Sequence, residues 1–410
     1  MKLLQINTSL NSSSTGKIAS QIGEICLANG HESFIMYSGR YPKINNKSIT
    51  NRIGNKFDFL LHALITRIFD KHGFASKRAT LKLIKNIDRI QPDIIHLHNL
   101  HGYYLNIKIL FEYLTSTNSR VVCTLHDCWN FTGHCSHFEY VGCSKWKNYC
   151  NDCPQKSVYP ASVLKDNSED NYEVKKLLFN SIGYSKMVMV PVSFWLQGKL
   201  KKSFLKNFDS RVIQNGIDLN IFKPKKENIF EKKLSIKNQF ILLGVASVWT
   251  QRKGFDEFIK LSKYLDNNFV IVLVGVDSKL QRKLPDNIIL IERTSDQEEL
   301  ASIYSDADLY LNLTFEDTYP STNLESIACG TPIITYKTGG SPESIINGCG
   351  CIIEQGNIEA LARKIKEIKN NNFADFPPNK LISASKNYFD KDKNFIKYLD
   401  LYEEILQIER

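Results

Sequence analysis

The sequence predicts an α/β protein with two consecutive Rossmann-like domains, and two observations support this fold class. Short, apolar, β-rich runs alternate with longer helical patterns almost from end to end, which is typical of parallel sheets covered by helices. Two series of such runs, similar in size, follow one another within the 410 residues. We therefore expect a first domain at residues 1–210, a second at 211–385 and a C-terminal helix at 386–410.

Each predicted strand is a nearly continuous apolar run, as expected for strands that are buried on both faces. The strands of the first series are residues 2–6, 33–37, 93–98, 120–126 and 187–191. Those of the second series are residues 239–247, 268–276, 287–292, 308–313 and 331–336. Helical patterns lie between them, for example at residues 16–28, 57–70, 76–90 and 105–114. Ligands of such sheets bind beyond the carboxyl ends of the strands, so the residues there are the candidates for a site.

Composition and charge exclude some classes of protein and leave others open. Hydrophobic residues make up 42% and charged residues 23%, which is the profile of a globular protein rather than a disordered one. No apolar run reaches the ~18–20 residues of a membrane span, and the apolar start is too short for a signal peptide, so we expect a cytoplasmic protein. The formal net charge of +10 indicates an anionic partner, and nucleic acid, anionic lipid and a phosphorylated ligand all remain open.

The stretch SDADLYLNLTFEDTYPSTNLESIACGTP, residues 305–332, carries the most chemical information. It predicts a strand, a loop with Glu316 and Asp317, a helix from about Ser321 that holds Glu325, and a turn into another strand. Asp317 and Glu325 would then lie near the carboxyl end of one strand, where they can flank a ligand. The alternative is that Asp317 caps the helix and Glu325 is a solvated surface charge.

This stretch resembles the signature of glycosyltransferase family 4, in which a carboxylate, an aromatic-Pro pair and a second Glu precede a small-residue helix that ends in ACGTP. Other stretches resemble the same family in the same order, namely PDIIHLHN (92–99), TLHD (124–127), QNGIDLNIFKP (214–224), RKGFD (252–256) and TGGSPESI (338–345). The resemblance implies the GT-B fold, with two Rossmann-like domains facing each other across a cleft and the C-terminal helix packed back on the first domain. It also implies retaining transfer of a sugar from a nucleotide-sugar, with no catalytic metal.

The resemblance assigns roles to residues of the second domain. Lys253 would be the cation that faces the donor diphosphate, where positive charge stabilises the leaving phosphate. The family often has an Arg six residues earlier, but that position is Ser247 here, and Arg252 is the candidate substitute. Glu325 would hydrogen-bond the nucleotide ribose, and Asp317 would contact the donor sugar. The other residues expected on the donor side are Gly16, Asn215, Thr318, Tyr319, Pro320, Ser321 and Glu343.

In the first domain, the resemblance places His126, at the end of a predicted strand, against the donor sugar and its transition state, so His126 is expected to be catalytic. Lys17, His96, His98 and Asp127 are expected on the acceptor side. Sheet packing is an equal alternative for His96 and His98. The loop SSSTGKIA (12–19) fails the P-loop pattern, and a helix N-cap by Ser14 or Thr15 is an equal alternative for its role.

Six of the ten cysteines fall between Cys123 and Cys153, mostly in an insertion at residues 127–155. Four of them match the ligand number of a structural tetrahedral zinc, with Cys128, His134 and His137 as alternative ligands. These four are Cys135, Cys143, Cys150 and Cys153. Reduced thiols without a metal are an equal alternative, and disulfides are a third. The insertion resembles that of bacterial transferases of colanic-acid and other exopolysaccharide pathways, and it would border the acceptor side.

The leading functional hypothesis is a retaining glycosyltransferase of bacterial capsule, O-antigen or exopolysaccharide synthesis, with a lipid-linked saccharide acceptor and no nucleic-acid partner. Basic, amphipathic segments at residues 57–90 and 195–206 suit an anionic membrane surface at the inner face of the cell membrane, although ordinary surface helices give the same pattern. A zinc-containing nucleic-acid-binding protein, a catalytically silent homologue and, more distantly, a nucleotide-sugar 2-epimerase are the alternatives.

Overall fold

The computed structural model describes residues 1–11, 13–41, 45–276, 284–346 and 348–407. The chain divides into two compact units. The first comprises Met1–Gln214 and Phe395–Arg410, and the second comprises Asn215–Asn394. Each unit is built around one six-stranded sheet in which every paired strand is parallel. The predicted fold class, α/β with two Rossmann-like domains, is confirmed.

The sheet of the first unit has the strand order β3-β2-β1-β4-β5-β6. Its strands are β1 Lys2–Asn7, β2 Glu32–Ser38, β3 Ile49–Ile53, β4 Ile94–Leu97, β5 Arg120–Leu125 and β6 Met187–Pro191. Its helices are α1 Ser14–Ala28, α2 Lys56–Phe69, α3 Lys77–Ile90, α4 Ile107–Ser116, α5 Ser168–Ser181 and α6 Phe194–Leu200. The order reverses between β1 and β4, and such a switch point is where open α/β sheets bind ligands.

The sheet of the second unit has the order β12-β11-β10-β7-β8-β9, which repeats the topology of the first. Its strands are β7 Phe240–Val245, β8 Phe269–Val274, β9 Ile288–Ile291, β10 Leu309–Asn312, β11 Ile333–Tyr336 and β12 Gly350–Ile353. The helices that follow the first unit are α7 Ile229–Leu234, α8 Phe255–Ser262, α9 Gln297–Asp306, α10 Ser321–Ala328, α11 Ile358–Asn370, α12 Pro378–Ala384 and α13 Lys391–Gln407. The switch point here lies between β7 and β10, so the loop after β10 belongs to the candidate site.

All ten predicted strands are confirmed, but the sequence analysis missed β3 and β12, one edge strand of each sheet. Four of the five residues of β3 and all four of β12 are at least partly exposed. An edge strand of this kind lacks the continuous apolar run that marks a strand buried on both faces. The central strands were therefore predictable and these edges were not.

The last helix, α13, covers one face of the first sheet with residues 395–407. Phe395, Tyr398 and Tyr402 join the same buried cluster as Leu3 of β1 and Val122 of β5. Two tyrosines also make buried hydrogen bonds, Tyr398 to Thr124 at 3.0 Å and Tyr402 to His96 at 2.6 Å. The helix is thus part of the core of the first unit.

Candidate active site

In the second unit, the loop between β10 and α10 is fixed by a chain of buried amides. Nδ2 of Asn312, at the end of β10, donates to Oδ1 of Asn323 at 2.6 Å. Nδ2 of Asn323 in turn donates to the Ser344 hydroxyl at 2.8 Å. All three residues are buried, so these bonds join β10, α10 and the turn at residues 341–344 into one rigid base. The loop above this base carries Glu316 and Asp317.

Lys253 and Asp317 form an ion pair in this loop region. Nζ of Lys253 donates to Oδ2 of Asp317 at 2.6 Å, and the two side chains are 27% and 19% exposed. Lys253 ends a short 3₁₀ turn, and Gly254 follows it with φ +78°, where a Cβ would lie 2.1 Å from the carbonyl oxygen of Leu313. Only glycine permits this close approach. The Lys-Gly pair of the sequence therefore sets the ammonium beside the carboxylate while leaving both open to a ligand.

Arg252 makes a different contact from its neighbour. Its Nη1 donates to the carbonyl oxygen of Glu316 at 3.3 Å, and its Nε lies 3.7 Å from the Glu316 carboxylate. Glu316 is 2% exposed, so the guanidinium compensates a buried negative charge. Ser247, the position where the family often has an Arg, is exposed just after β7. The contact with Glu316 gives Arg252 a structural role, and its replacement of the missing Arg stays a prediction.

The Gly-Gly turn predicted at residues 338–345 wraps onto the same loop. The amide of Gly340 donates to the carbonyl oxygen of Asp317 at 3.0 Å. Gly339 has φ +53°, and a Cβ there would meet this oxygen at 1.9 Å. Glu343 follows in the 3₁₀ turn, and its charge adds to burial in raising the pKa of Tyr319. The structure thus brings Glu343, Asp317 and Tyr319 into one neighbourhood.

Glu325 lies near the middle of α10 and is anchored by two hydroxyl groups. Ser321 donates to Oε1 at 3.1 Å and Tyr304 donates to Oε2 at 3.1 Å. Tyr304 is fully buried, and burial together with the Glu325 charge raises its pKa. These contacts hold the carboxylate in one orientation, so the alternative of a freely solvated surface charge is wrong.

In the first unit, His126 lies just beyond β5 and is oriented by a second histidine. Its Nε2 is 3.1 Å from Nδ1 of His98, and the two rings stack with centroids 5.4 Å apart. Nε2 of His98 contacts Oε1 of Gln5 at 3.0 Å. Burial lowers the pKa of His126 to about 4, against the opposing charge of Asp127 and with a smaller contribution from His101. His126 is therefore a neutral imidazole at neutral pH.

Asp127 belongs to a hydrogen-bonded group that the sequence analysis missed. Its Oδ2 lies 2.7 Å from Nε2 of His101, whose Nδ1 lies 3.0 Å from the hydroxyl of Tyr159. Burial alone raises the pKa of Asp127, but the charge and hydrogen bond of His101 outweigh it and bring the pKa to about 2. His101 stands in the stretch HNLHGYY directly after β4, so the rule of inspecting residues beyond strand ends could have found it. Tyr159 does not follow a predicted strand, so the same rule could not have found it.

The structure corrects the acceptor-side prediction for His96. It is 0% exposed, and its two nitrogens contact Thr124 at 2.7 Å and Tyr402 at 2.6 Å. Both hydrogen-bonding positions of the ring are used inside the core, so the alternative of sheet packing holds. His98 is 1% exposed, and its ring nitrogens contact His126 and Gln5.

The loop before α1 has a different cap from the one expected. Ser13 is the N-cap and its hydroxyl accepts from the amide of Gly16 at 3.3 Å, so the prediction of Ser14 or Thr15 is wrong. A Cβ on Gly16 would lie 2.8 Å from the Ser9 hydroxyl, so glycine lets α1 pack onto the loop after β1. Lys17 follows on the first turn and is half-buried. The contact of Gly16 and Lys17 with a ligand stays a prediction.

The Asn-Gly-Ile-Asp element of the second unit contacts the first turn of α13. The carbonyl oxygen of Asn215 accepts from Nδ2 of Asn394 at 3.4 Å. A Cβ on Gly216 would lie 2.4 Å from Cα of Lys391, and Lys391 pairs with Asp218 at 2.5 Å. These contacts give the element a packing role. The donor contact expected of Asn215 stays a prediction.

The four cysteines proposed as zinc ligands line one solvent-open pocket of about 330 Å³. The ten cysteines, all of which lie within the described residues, form no disulfide bonds. A hydrogen bond with Cys135 lowers the pKa of Cys153 to about 7. Nδ1 of His134 is 2.5 Å from Asp70, so this alternative ligand is already engaged. Within the described ranges, no three His, Cys, Asp or Glu side chains are arranged to hold a metal ion.

Comparison with known proteins connects this geometry to an enzyme family. Residues 225–388 match the sequence profile of the family described as Glycosyl transferases group 1. The matched residues lie within the second unit. The chain is 21% identical over 385 residues to the putative colanic acid biosynthesis glycosyl transferase WcaC of Escherichia coli K12, covering 89% of this chain and 90% of the relative. It is 25% identical over 169 residues to the capsular polysaccharide biosynthesis glycosyltransferase CapM of Staphylococcus aureus, covering 38% and 44%.

Solved structures share the fold over the whole chain. Sucrose-phosphate synthase from Thermosynechococcus elongatus aligns with a TM-score of 0.73 at 16% identity, covering 100% of both chains. Anabaena HepE in complex with UDP-glucose aligns with a TM-score of 0.66 at 14% identity, covering 98% of this chain and 99% of that one. WaaG, a glycosyltransferase involved in lipopolysaccharide biosynthesis, aligns with a TM-score of 0.63 at 13% identity, covering 98% and 99%. The GT-B fold expected from the sequence is confirmed.

Proposed function

We propose that the protein is a retaining glycosyltransferase that moves a sugar from a nucleotide-sugar to a lipid-linked saccharide of a bacterial surface polysaccharide. The observation that carries this proposal is the group Lys253, Asp317 and Glu325 around the loop after β10, inside the matched residues 225–388. The names of the relatives, which concern colanic acid and capsular polysaccharide, support the product class. The bound UDP-glucose of HepE supports the donor class.

Breaking the bond between the anomeric carbon and the diphosphate puts negative charge on the leaving phosphate. Lys253 supplies an accessible ammonium for this charge, and the N-terminus of α10 adds a favourable dipole. When the donor binds, the Lys253 ammonium would leave Asp317 and pair with the diphosphate. Asp317 would then accept hydrogen bonds from sugar hydroxyls. Glu325, held by Ser321 and Tyr304, would accept hydrogen bonds from the ribose hydroxyls.

His126 and Asp127 of the first unit would act on the sugar and the acceptor. A neutral His126 whose Nε2–H donates to Nδ1 of His98 would accept a hydrogen bond from a hydroxyl of the donor sugar through its Nδ1, and this nitrogen lone pair would favour positive charge at the anomeric carbon. The oxygen of the acceptor hydroxyl would bond to the anomeric carbon, and its proton would leave with the diphosphate. Asp127 and His101 would position this hydroxyl.

No helix in the described part of the chain has both the length and the apolar character to cross a bilayer. The proposed location is therefore the surface of the membrane rather than its interior, at the inner face where nucleotide-sugars are available. The net charge of +10 supports contact with anionic lipid.

The test is transfer of labelled sugar into lipid. Labelled UDP-, GDP-, ADP- and CMP-sugars are incubated with the protein and a bacterial lipid extract, and label in the lipid phase is counted. We expect one donor to label lipid with the native protein and with Glu354→Ala, an exposed surface control in the same unit, but not with Lys253→Ala. The anomeric configuration of the product, read by NMR, should match that of the donor. Equal transfer by Lys253→Ala, or an inverted product, would contradict the proposal.

A further inference from the structure

Helix α2 has the opposite polarity from an ordinary surface helix. Its buried side chains are the polar His62 and Thr66. Its exposed face carries Phe57 at 72%, Leu60 at 62% and Leu64 at 54% exposure. A surface helix of a globular protein normally turns its apolar stripe inwards and its polar residues to water. The neighbouring α3 does so, because its buried residues include Leu83 and Ile87.

Hydrogen bonds inside the first unit lock α2 in this rotation. Nδ1 of His62 lies 2.8 Å from the Ser76 hydroxyl, and the amide of Gly73 donates to Nε2 of His62 at 3.1 Å. The buried Thr66 hydroxyl is satisfied within the helix, because it donates to the carbonyl oxygen of His62 at 3.0 Å. Rolling the leucines inwards would break the two bonds of His62 to Ser76 and Gly73 and leave groups without partners, which costs free energy. The exposed apolar face is therefore a fixed feature of the fold.

A second segment extends the apolar surface beyond the end of α2. The amide of Val163 donates to the carbonyl oxygen of Arg67 at 2.8 Å, and the amide of Lys165 donates to that of Ile68 at 3.2 Å. These bonds place Val163 and Leu164 beside the last turn of α2, where they are 70% and 68% exposed. We name the combined surface the α2 patch. It consists of Phe57, Leu60, Leu61, Leu64, Val163 and Leu164.

Positive charge borders the α2 patch, and the nearby acids are engaged by the main chain. Lys56, Arg67 and Lys71 are exposed on or just after α2, and Nζ of Lys165 lies 5.7 Å from the ring of Phe69. The acid of the first turn, Asp58, accepts from the amide of Asn55 at 2.9 Å in a capping box. Asp166 accepts from the amides of Cys153 and Ser168. These four cations outnumber the two carboxylates, so the edge of the patch carries net positive charge.

We propose that the α2 patch docks the protein on an anionic lipid bilayer. Apolar side chains on one face with lysine and arginine at the rim are the features of a helix that lies in the plane of the membrane interface. The rim cations would lie at the depth of the lipid phosphates, which attract them. A homodimer through the same patch fits less well, because a two-fold contact would bring the two basic rims together.

The docking surface lies close to the proposed acceptor side of the same unit. The buried face of α2 contacts the segment at Gly73 through His62, and the adjacent His72 accepts through Nε2 from the amide of Gly102 at 3.1 Å. Gly102 follows His101, the partner of Asp127. A bilayer at the α2 patch would therefore present a lipid-linked saccharide near Asp127. This last step rests on the proposed function, whereas docking itself does not.

Vesicle flotation tests the docking. Vesicles of phosphatidylcholine alone and of phosphatidylcholine with phosphatidylglycerol are compared at low salt, with the native protein and with Leu60→Ser/Leu64→Ser. The control is Leu177→Ser on α5, where the leucine is 70% exposed. We expect binding to the anionic vesicles only, a loss of about tenfold in the double variant and none in the control. Binding that is absent, or equal in all three proteins, would overturn the proposal.

Further measurements separate a membrane from other occupants. In Leu61→Trp the fluorescence should shift to the blue and be quenched by brominated lipids, whereas in Leu177→Trp it should not. Arg67→Gln/Lys71→Gln should weaken vesicle binding and make it less dependent on salt. The matched control is Lys201→Gln/Lys202→Gln, which removes two exposed lysines beyond α6 and should have a smaller effect on both. Sedimentation tests a second copy as the occupant. If the native protein self-associates but does not bind vesicles, and Leu60→Ser/Leu64→Ser no longer self-associates, the patch belongs to a second copy and the proposal is overturned. Stabilisation by a nucleotide-sugar in the same variant would show that the proposed function stands independently of docking.

Discussion

Lys253 and Asp317 are 64 residues apart in the sequence, yet the ammonium of one lies 2.6 Å from the carboxylate of the other. Main-chain contacts, rather than the ion pair, bring them together. The amide of Phe315 donates to the carbonyl oxygen of Arg252 at 2.8 Å, and Gly254 lies against Leu313. Because these main-chain contacts hold the loop in place, a ligand can replace either partner of the ion pair without disrupting the loop.

Replacing Lys253 should affect catalysis and leave stability nearly unchanged. Lys253→Ala should lower kcat/KM for the donor by about 10²–10³-fold, since it removes a charge aimed at the leaving group. The ion pair is partly exposed and contributes at most about 1 kcal/mol to stability, so Tm should hardly move. Steady-state kinetics and thermal melts check both, with Lys263→Ala, an exposed lysine at the end of α8, as the control. A large fall in Tm with unchanged kcat/KM would assign Lys253 to structure instead.

Arg252 is predicted to stabilise the loop through Glu316. Arg252→Ala should lower the free energy of unfolding by about 1–3 kcal/mol, because Glu316 would be left buried without its guanidinium. Arg252→Ala/Glu316→Gln should recover part of this loss, which urea unfolding of the four proteins in a double-mutant cycle would measure. If Arg252 instead replaces the family Arg at Ser247, Arg252→Ala should raise the donor KM with no loss of stability.

The buried histidines predict acid lability. Burial lowers the pKa of His126 to about 4 and that of His62 to about 3, from an ordinary value of 6.5. Below pH 6.5 the unfolded chain binds protons that the native chain does not, so stability falls as the pH drops from 6.5 through 4, and it is insensitive to these groups above 6.5. In His126→Gln the slope of the unfolding free energy between these values should be shallower by about 1.4 kcal/mol per pH unit. An unchanged slope would show that His126 is not kept neutral by the fold.

The four cysteines at the pocket carry the prediction of one structural zinc. As they stand in the structure, the thiols are not arranged as ligands, so binding would draw the sulfur atoms together. Protein purified without chelator should hold about one zinc per chain, and Cys150→Ala/Cys153→Ala should hold none. Cys26→Ser/Cys349→Ser, which changes thiols outside the insertion, should keep it. Metal analysis that finds no zinc in the native protein would reject the site and leave reduced thiols as the answer.

The fold was predictable wherever a strand is buried on both faces, because such a strand is a continuous apolar run in the sequence. The ten predicted strands, which include the edge strands β6 and β9, are continuous apolar runs, and each was found. Strands β3 and β12 are short edges with mixed exposure, and nothing in ITNRI or GCII separates them from a loop. Similarly, the pattern of residues 57–90 predicted basic, amphipathic helices, but α2 buries a polar face whereas α3 buries an apolar one. That difference depends on where His62 finds its partners, which is tertiary information.

The candidate site was predictable in its motifs but less so in its contacts. The loop with Asp317 and the helix with Glu325 lie where the sequence predicted them. The ion pair with Lys253 was not foreseen, because contacts between distant segments have no local pattern. The resemblance placed His96 on the acceptor side, with sheet packing as an equal alternative, but its ring bonds to Thr124 and to Tyr402 of α13 inside the core. The partnership of Asp127 with His101 was missed for the same reason as the ion pair.

The central claim is that Lys253, Asp317 and Glu325 of the second unit bind a nucleotide-sugar, and donor binding tests it most directly. Thermal melts of the native protein, Glu325→Ala and the surface control Glu354→Ala are recorded with UDP-, GDP-, ADP- and CMP-sugars, since a ligand that binds the native state raises its Tm. We predict that sugars of one nucleotide raise the Tm of the native protein and of Glu354→Ala, and that the rise is lost in Glu325→Ala. No rise with any donor, or an equal rise in Glu325→Ala, would contradict the account.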